Sequence, residues 1–236
     1  MRYELSQVLP WGRSFEEYVR MFSLTEKDLN GAILGCADGP AGFNAEMNQR
    51  GRRVISCDPI YRFTKRQLRA QIGRASAMIS EQTRKNIGNF VWSSIRSIEE
   101  LREIRMSSMR LFLEDYDDGK MQGRYVDAGL PILPFDDNAF DIALCSHFLF
   151  LYSDRLSLDF HKQSIRQLCR VAREVRIFPL IDLDLKPSQY VRPISGSLKE
   201  EGFSVLIERV AYEFQRGGNE MLRIFRDNNK SIGESV

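Results

Sequence analysis

Gly31-Ala-Ile-Leu-Gly-Cys-Ala-Asp-Gly-Pro-Ala-Gly-Phe43 is the stretch on which the fold turns. An apolar run, Ala32 to Cys36, enters a bend of small residues, and a helix follows through Asn44, Ala45, Glu46 and Met47. Arg53-Val-Ile-Ser-Cys-Asp58 then reads as a second strand ending on a carboxylate. Strand, small-residue turn, helix and an Asp-terminated strand make a βαβ unit suited to a nucleoside. The backbone approaches the ligand at the turn, and the acid accepts hydrogen bonds from ribose hydroxyls.

Working outward, Ser14 with Glu17 three residues on fits a capping box, which predicts a helix over 15–22. Helical patterns fill 64–80, 81–92 and 98–116, and a short third strand is expected over 124–128. After turn chemistry at Pro134 to Asp141, the pattern predicts a strand over 142–146, a helix over 156–169 and a strand over 174–181 that Pro179 interrupts. A helix lies within 190–202. The alternating segments 203–214 and 220–225, with Arg216-Gly-Gly-Asn219 between them, predict a closing antiparallel hairpin. The sum is an α/β chain with a doubly wound, mostly parallel seven-stranded sheet whose last strand is antiparallel. A helical insertion follows the second strand, at about 62–122, and the whole of 1–236 reads as one domain.

Composition narrows the classes. The net charge of +2 over 236 residues does not by itself argue for nucleic acid. Cys36, Cys57, Cys145 and Cys169 form no CxxC pair and read as reduced, mostly buried thiols of a cytoplasmic protein. With His147 and His161 alone and no ligand spacing, no metal site is expected. No apolar run approaches the roughly 18 residues of a membrane span, and the Met1-Arg-Tyr-Glu-Leu5 start does not read as a signal peptide.

Order and spacing resemble the class I S-adenosylmethionine-dependent methyltransferase family. The resemblance is carried by Leu34 to Phe43 as the glycine-rich loop, Asp58 at a strand end, Leu133-Pro-Phe-Asp-Asp-Asn-Ala-Phe-Asp141, and Ile142-Ala-Leu-Cys-Ser146 running into His147. It spans about 31–225, apart from the long helical stretch. The acid that usually precedes the loop falls on Gly35, and two usual glycines fall on Ala37 and Ala41. Alanine permits close approach but disfavours positive φ. Asp38 or backbone carbonyls would then hold the ammonium of the cofactor's methionine end.

The resemblance implies S-adenosylmethionine as cofactor. Gly35, Cys36, Ala37, Asp38 and Gly39 would lie against its methionine part. Asp58 would bind the ribose, Pro59 and Ile60 would pack on the adenine, and Asp127 and Ala128 would meet its edge. Cys145, Ser146 and His147 would border the transferable methyl. The alternatives are local: Asp58 or Asp127 capping a turn, His147 hydrogen-bonded to structure rather than acting as general base. Arg13 is a candidate for the methionine carboxylate, since guanidinium matches carboxylate bidentately, against a solvated arginine. Tyr152 is a pocket candidate or packing, and His161, mid-helix, reads as structural.

Between Arg62 and Arg110 eleven Lys or Arg stand against four Glu. That basic stretch is a cap that admits anions or steers RNA or DNA, or else a solvated helix surface or homodimer face. The expected function is methyl transfer to a small molecule. The alternatives are a nucleic-acid methyltransferase and a non-catalytic binder of the cofactor. The loop lacks the G-x-G-x-x-G of a nicotinamide enzyme, and no Asn-Pro-Pro-Tyr segment follows the fourth strand.

Overall fold

The computed structural model describes residues 11–226; the Met1-to-Leu5 start lies outside them. Helix α1 (Phe15–Met21) opens with the expected capping box, Ser14 and Glu17 each accepting the other's backbone N–H. A short α2 (Glu26–Leu29) precedes β1 (Ile33–Cys36), α3 (Phe43–Gln49) and β2 (Val54–Cys57). The insertion is two long helices, α4 (Lys65–Lys85) and α5 (Ile98–Met121), followed by β3 (Tyr125–Val126), β4 (Phe140–Ser146) and α6 (Leu158–Val171). The chain closes with β5 (Ala172–Phe178), α7 (Val191–Glu200), β6 (Ser204–Arg209) and β7 (Glu220–Phe225).

The sheet order is β3-β2-β1-β4-β5-β7-β6. Every pairing from β3 to β5 is parallel, and β7 runs antiparallel to both β5 and β6. This is a doubly wound α/β sheet with one reversed strand, as the sequence predicts. Alternation along the strands divides the core. Ile33, Val54, Ile142 and Leu144 pack with α1 and α3 on one face. Leu34, Cys36, Ala143 and Cys145 pack with Ile165, Leu168, Ile194 and Leu198 of α6 and α7 on the other.

Four expectations need correction. Helix α4 runs through 80–81 without a break, because no Gly or Pro stands there and the buried stripe Ile72, Ala75, Ile79, Thr83 continues across. The segment read as a second helix is a short 3-10 turn, Ile87–Asn89, and irregular chain. The terminal hairpin is not tight. Strand β6 stops at Arg209, and residues 210–219 form a loop that bridges to the insertion through Phe90 and Gln215 and a Val91 N–H to Phe214 O bond of 2.8 Å. Strand β5 ends at Phe178, since Pro179 has no N–H for the ladder.

Candidate functional site

The carboxyl ends of β1, β2 and β4 open into a cavity of about 330 Å³, where ligands bind in open α/β sheets. Trp11, Arg13, Tyr18, Ala37, Asp38, Gly39, Asp58, Pro59, Ile60, Ser146, His147 and Tyr152 all line it. Gly35 lies beneath Asp38, and Cys36 and Cys145 are buried under the floor. Burial pushes the Cys145 thiol up to about 12, which makes it a poor nucleophile at neutral pH. Asp127 is exposed and does not line the cavity; Gly129 and Leu130, further along the same loop, do.

The turn after β1 is strained and braced. Ala37 sits at φ +54, the left-handed region that its Cβ disfavours, and Gly39 at φ +56. The Gly39 N–H donates to Asp58 Oδ2 at 3.0 Å, the Ile60 N–H donates to Asp58 Oδ1 at 2.9 Å, and Tyr61 Oη donates to Gly39 O at 2.7 Å. Asp58 thus ties the turn to β2 while each carboxylate oxygen keeps a lone pair. Burial raises its pKa to about 6, against the two amide N–H bonds that favour its charge.

The missing acid at Gly35 has a spatial answer. A Cβ on Gly35 would lie 2.4 Å from Asp38 Oδ2, so the Asp38 carboxylate occupies the room a side chain at 35 would take. Tyr18 Oη and Ser56 Oγ donate to its two oxygens, and its burial raises its pKa. Tyr18 is held for this by stacking on Phe43 at 4.6 Å.

The segment 11–14 crosses over the turn. Gly42 N–H donates to Arg13 O at 3.1 Å and Ser108 Oγ to the same carbonyl at 2.7 Å. Arg13 Nη1 donates to Trp11 O at 2.9 Å, while its buried Nε–H has no hydrogen-bond partner. Among the described residues Arg13 forms no ion pair.

His147, at φ +51, follows β4 with its N–H on Phe178 O at 2.6 Å and Nδ1 2.8 Å from Ser146 Oγ. Burial first, then the charges of Arg13 and Arg105, hold its imidazole well below the ordinary value, so it is neutral at pH 7. His161 is buried in α6 against Ser157 O and Leu149 O, a bracing role.

A network that the sequence reading missed stands behind the cavity. Arg105 of α5, 1% exposed, pairs with Glu17 of α1 through Nη1, and Tyr212 Oη donates to Glu17 Oε1 at 2.8 Å. Glu17 is the capping-box residue, and Arg105 was counted with the basic cap. The available signal was its place on the apolar stripe Leu101, Arg105, Met109, Phe112 of α5. Among the described residues no group of three His, Cys, Asp or Glu is placed to hold a metal, and no helix is long and apolar enough to cross a membrane.

No family model matches this sequence. Over 230 residues it is 36% identical to the uncharacterized protein MJ0045 of Methanocaldococcus jannaschii, which takes in 96% of this chain and 100% of that one. The chain belongs to the MJ0045 family. Among solved structures, the magnesium protoporphyrin IX methyltransferase of Synechocystis PCC 6803 with bound SAM overlays with a TM-score of 0.47 at 11% identity, covering 90% of this chain and 78% of that one. A SAM-dependent methyltransferase of Aquifex aeolicus overlays at 0.41 with 14% identity, covering 89% and 87%. For this MJ0045 relative the strand order itself, with β7 reversed, defines the fold.

Proposed function

We propose that the chain is a methyltransferase that uses S-adenosylmethionine and acts on a small molecule. The supporting observation is the pair of carboxylates flanking the turn after β1, Asp38 folded over Gly35 and Asp58 at the end of β2. The residues fit the group: open space at Gly39 of the turn, two acids for its hydroxyl and ammonium donors, and an unpartnered guanidinium N–H for its carboxylate. Asp58 would accept from the ribose hydroxyls, with Pro59, Ile60, Gly129 and Leu130 around the adenine. Asp38 would take the ammonium and Arg13 the carboxylate. When bound, the cofactor supplies an electrophilic methyl on a sulfonium. The protein's part is then placement, with His147 available where an acceptor proton must leave.

Calorimetry with S-adenosylmethionine, S-adenosylhomocysteine and NAD tests this. Wild type should bind the first two and not NAD. Asp58→Ala should bind them about 10–100-fold more weakly, the worth of hydrogen bonds to a charged group. Asp58→Ala binding as tightly as wild type, or NAD binding instead, contradicts the reading. A second reading, methylation of nucleic acid, is favoured by Arg62, Arg66 and Arg69, all exposed at the start of the insertion. It requires salt-dependent RNA or DNA binding.

A further inference from the structure

The cavity that holds Asp38 and Asp58 is lined elsewhere by Ile79 and Leu101 of the insertion helices, by Phe90 and Phe214 of the two bridged loops, and by Phe148 and Leu151 after β4. The Phe90 and Phe214 rings stack at 4.9 Å, which makes that wall a flat apolar surface. Two residues of this lining carry buried polar atoms with nothing to bond. Arg105 Nε–H and Gln215 Oε1 are both buried without a partner, and both residues line the cavity. The other arms of Arg105 are engaged, Nη1 by Glu17 and Nη2 by Tyr212 Oη at 3.3 Å. A buried guanidinium N–H left unmet is costly, so a ligand atom that accepts it is favoured there.

Charge then selects the nucleophile. A neutral amine attacking a sulfonium methyl becomes a cation. Here it would become one beside Arg13 and Arg105, whose charges already disfavour the imidazolium of His147. Of the nearby carboxylates, Glu17 is engaged by Arg105, Tyr212 and the Ser14 N–H, while Asp38 and Asp58 are taken by the cofactor in the reading above. An oxygen anion attacking the same methyl ends neutral and suits the guanidinium donors throughout.

We propose that the acceptor is a hydrophobic oxygen acid of small-molecule size, a carboxylic acid, on the premise that the cleft transfers a methyl group. Its oxygen takes the Arg105 Nε–H while its apolar body lies among Ile79, Phe90, Leu101 and Phe214. The oxygen lone pair forms the O–CH3 bond as the methyl–sulfur bond breaks. The bonding pair goes to sulfur, and the anionic and sulfonium charges cancel. A carboxylate needs no proton removed, so no imidazolium has to form at His147.

The test is calorimetry on the full chain saturated with S-adenosylhomocysteine, titrated at neutral pH with naphthoate, with naphthylamine and with a short single-stranded RNA. Naphthoate should bind at least about 10-fold more tightly than naphthylamine, as expected for a charge-assisted bond to guanidinium. Leu101→Trp, which fills the apolar region, should abolish naphthoate binding and leave S-adenosylhomocysteine binding intact. Naphthylamine binding as tightly, RNA binding in place of both, or no probe binding to the loaded protein overturns the oxygen-acid assignment. Failure of S-adenosylhomocysteine itself to bind overturns the methyl-transfer reading beneath it as well.

Discussion

Asp58 sits where burial and hydrogen bonding oppose one another. Burial raises its pKa from 3.8 to about 6, and the Ile60 and Gly39 amides only partly offset this. The folded chain therefore holds this proton more tightly than the unfolded one, and between pH 3.8 and about 6 the residue's contribution makes stability fall as pH rises. Ligand binding runs the other way, because the ionised form is the better acceptor for ribose hydroxyls. Affinity for S-adenosylhomocysteine should weaken as pH drops through about 6 in wild type and weaken less in Asp58→Asn, where only Asp38 still titrates. Matching profiles in the two proteins would contradict the role. Asp38 admits a sharper experiment. Asp38→Ala should weaken cofactor binding about 10-fold or more, and Gly35→Asp in that background should restore much of it, since the two side chains compete for one space. No recovery in the double variant would mean that Asp38 holds Tyr18 and Ser56 and nothing else. At Ala37, held at φ +54, substitution by Gly should stabilise the fold by up to about 1 kcal/mol in denaturant titrations. The placement of Asp58 and Asp38 beside the turn was legible because a strand-end acid and a small-residue turn announce themselves by spacing. The positive φ of Ala37 was not, because it follows from how the turn is braced by Asp58 and Tyr61.

Among the elements, α1, α5 and the loop before β7 meet in one buried charge network. Arg105 is 1% exposed and Glu17 7%, and removing one member of such a pair leaves the other charged and unmatched. Arg105→Ala should cost about 3–5 kcal/mol in chemical denaturation, against a change within about 0.5 kcal/mol for Arg66→Ala on the exposed side of α4. Equal effects would refute a structural role for the pair. Local signals predicted α1, β1, α3 and β2 well, since capping boxes and apolar runs act within a few residues. They failed where tertiary contacts decide. Nothing near 80–81 ends α4, whose stripe continues onto Ile79 and Thr83. Strand β6 stops at Arg209 because the chain beyond it pairs with Phe90, more than a hundred residues earlier.

On the scale of the whole molecule, a parallel core sheet with one reversed strand places three strand ends side by side. The insertion and the 210–219 loop close over them to make a mostly apolar cavity. The insertion is therefore more than a basic surface: Ile79, Leu101 and Arg105 face the cavity while Arg62, Arg66 and Arg69 face solvent. The most direct measurement is a crystal structure of the full chain grown with S-adenosylhomocysteine. The account predicts the ribose hydroxyls on Asp58, the ammonium on Asp38 and the carboxylate on Arg13. The compound bound with its ribose away from Asp58, or excluded from the cleft at saturating concentration, would contradict it.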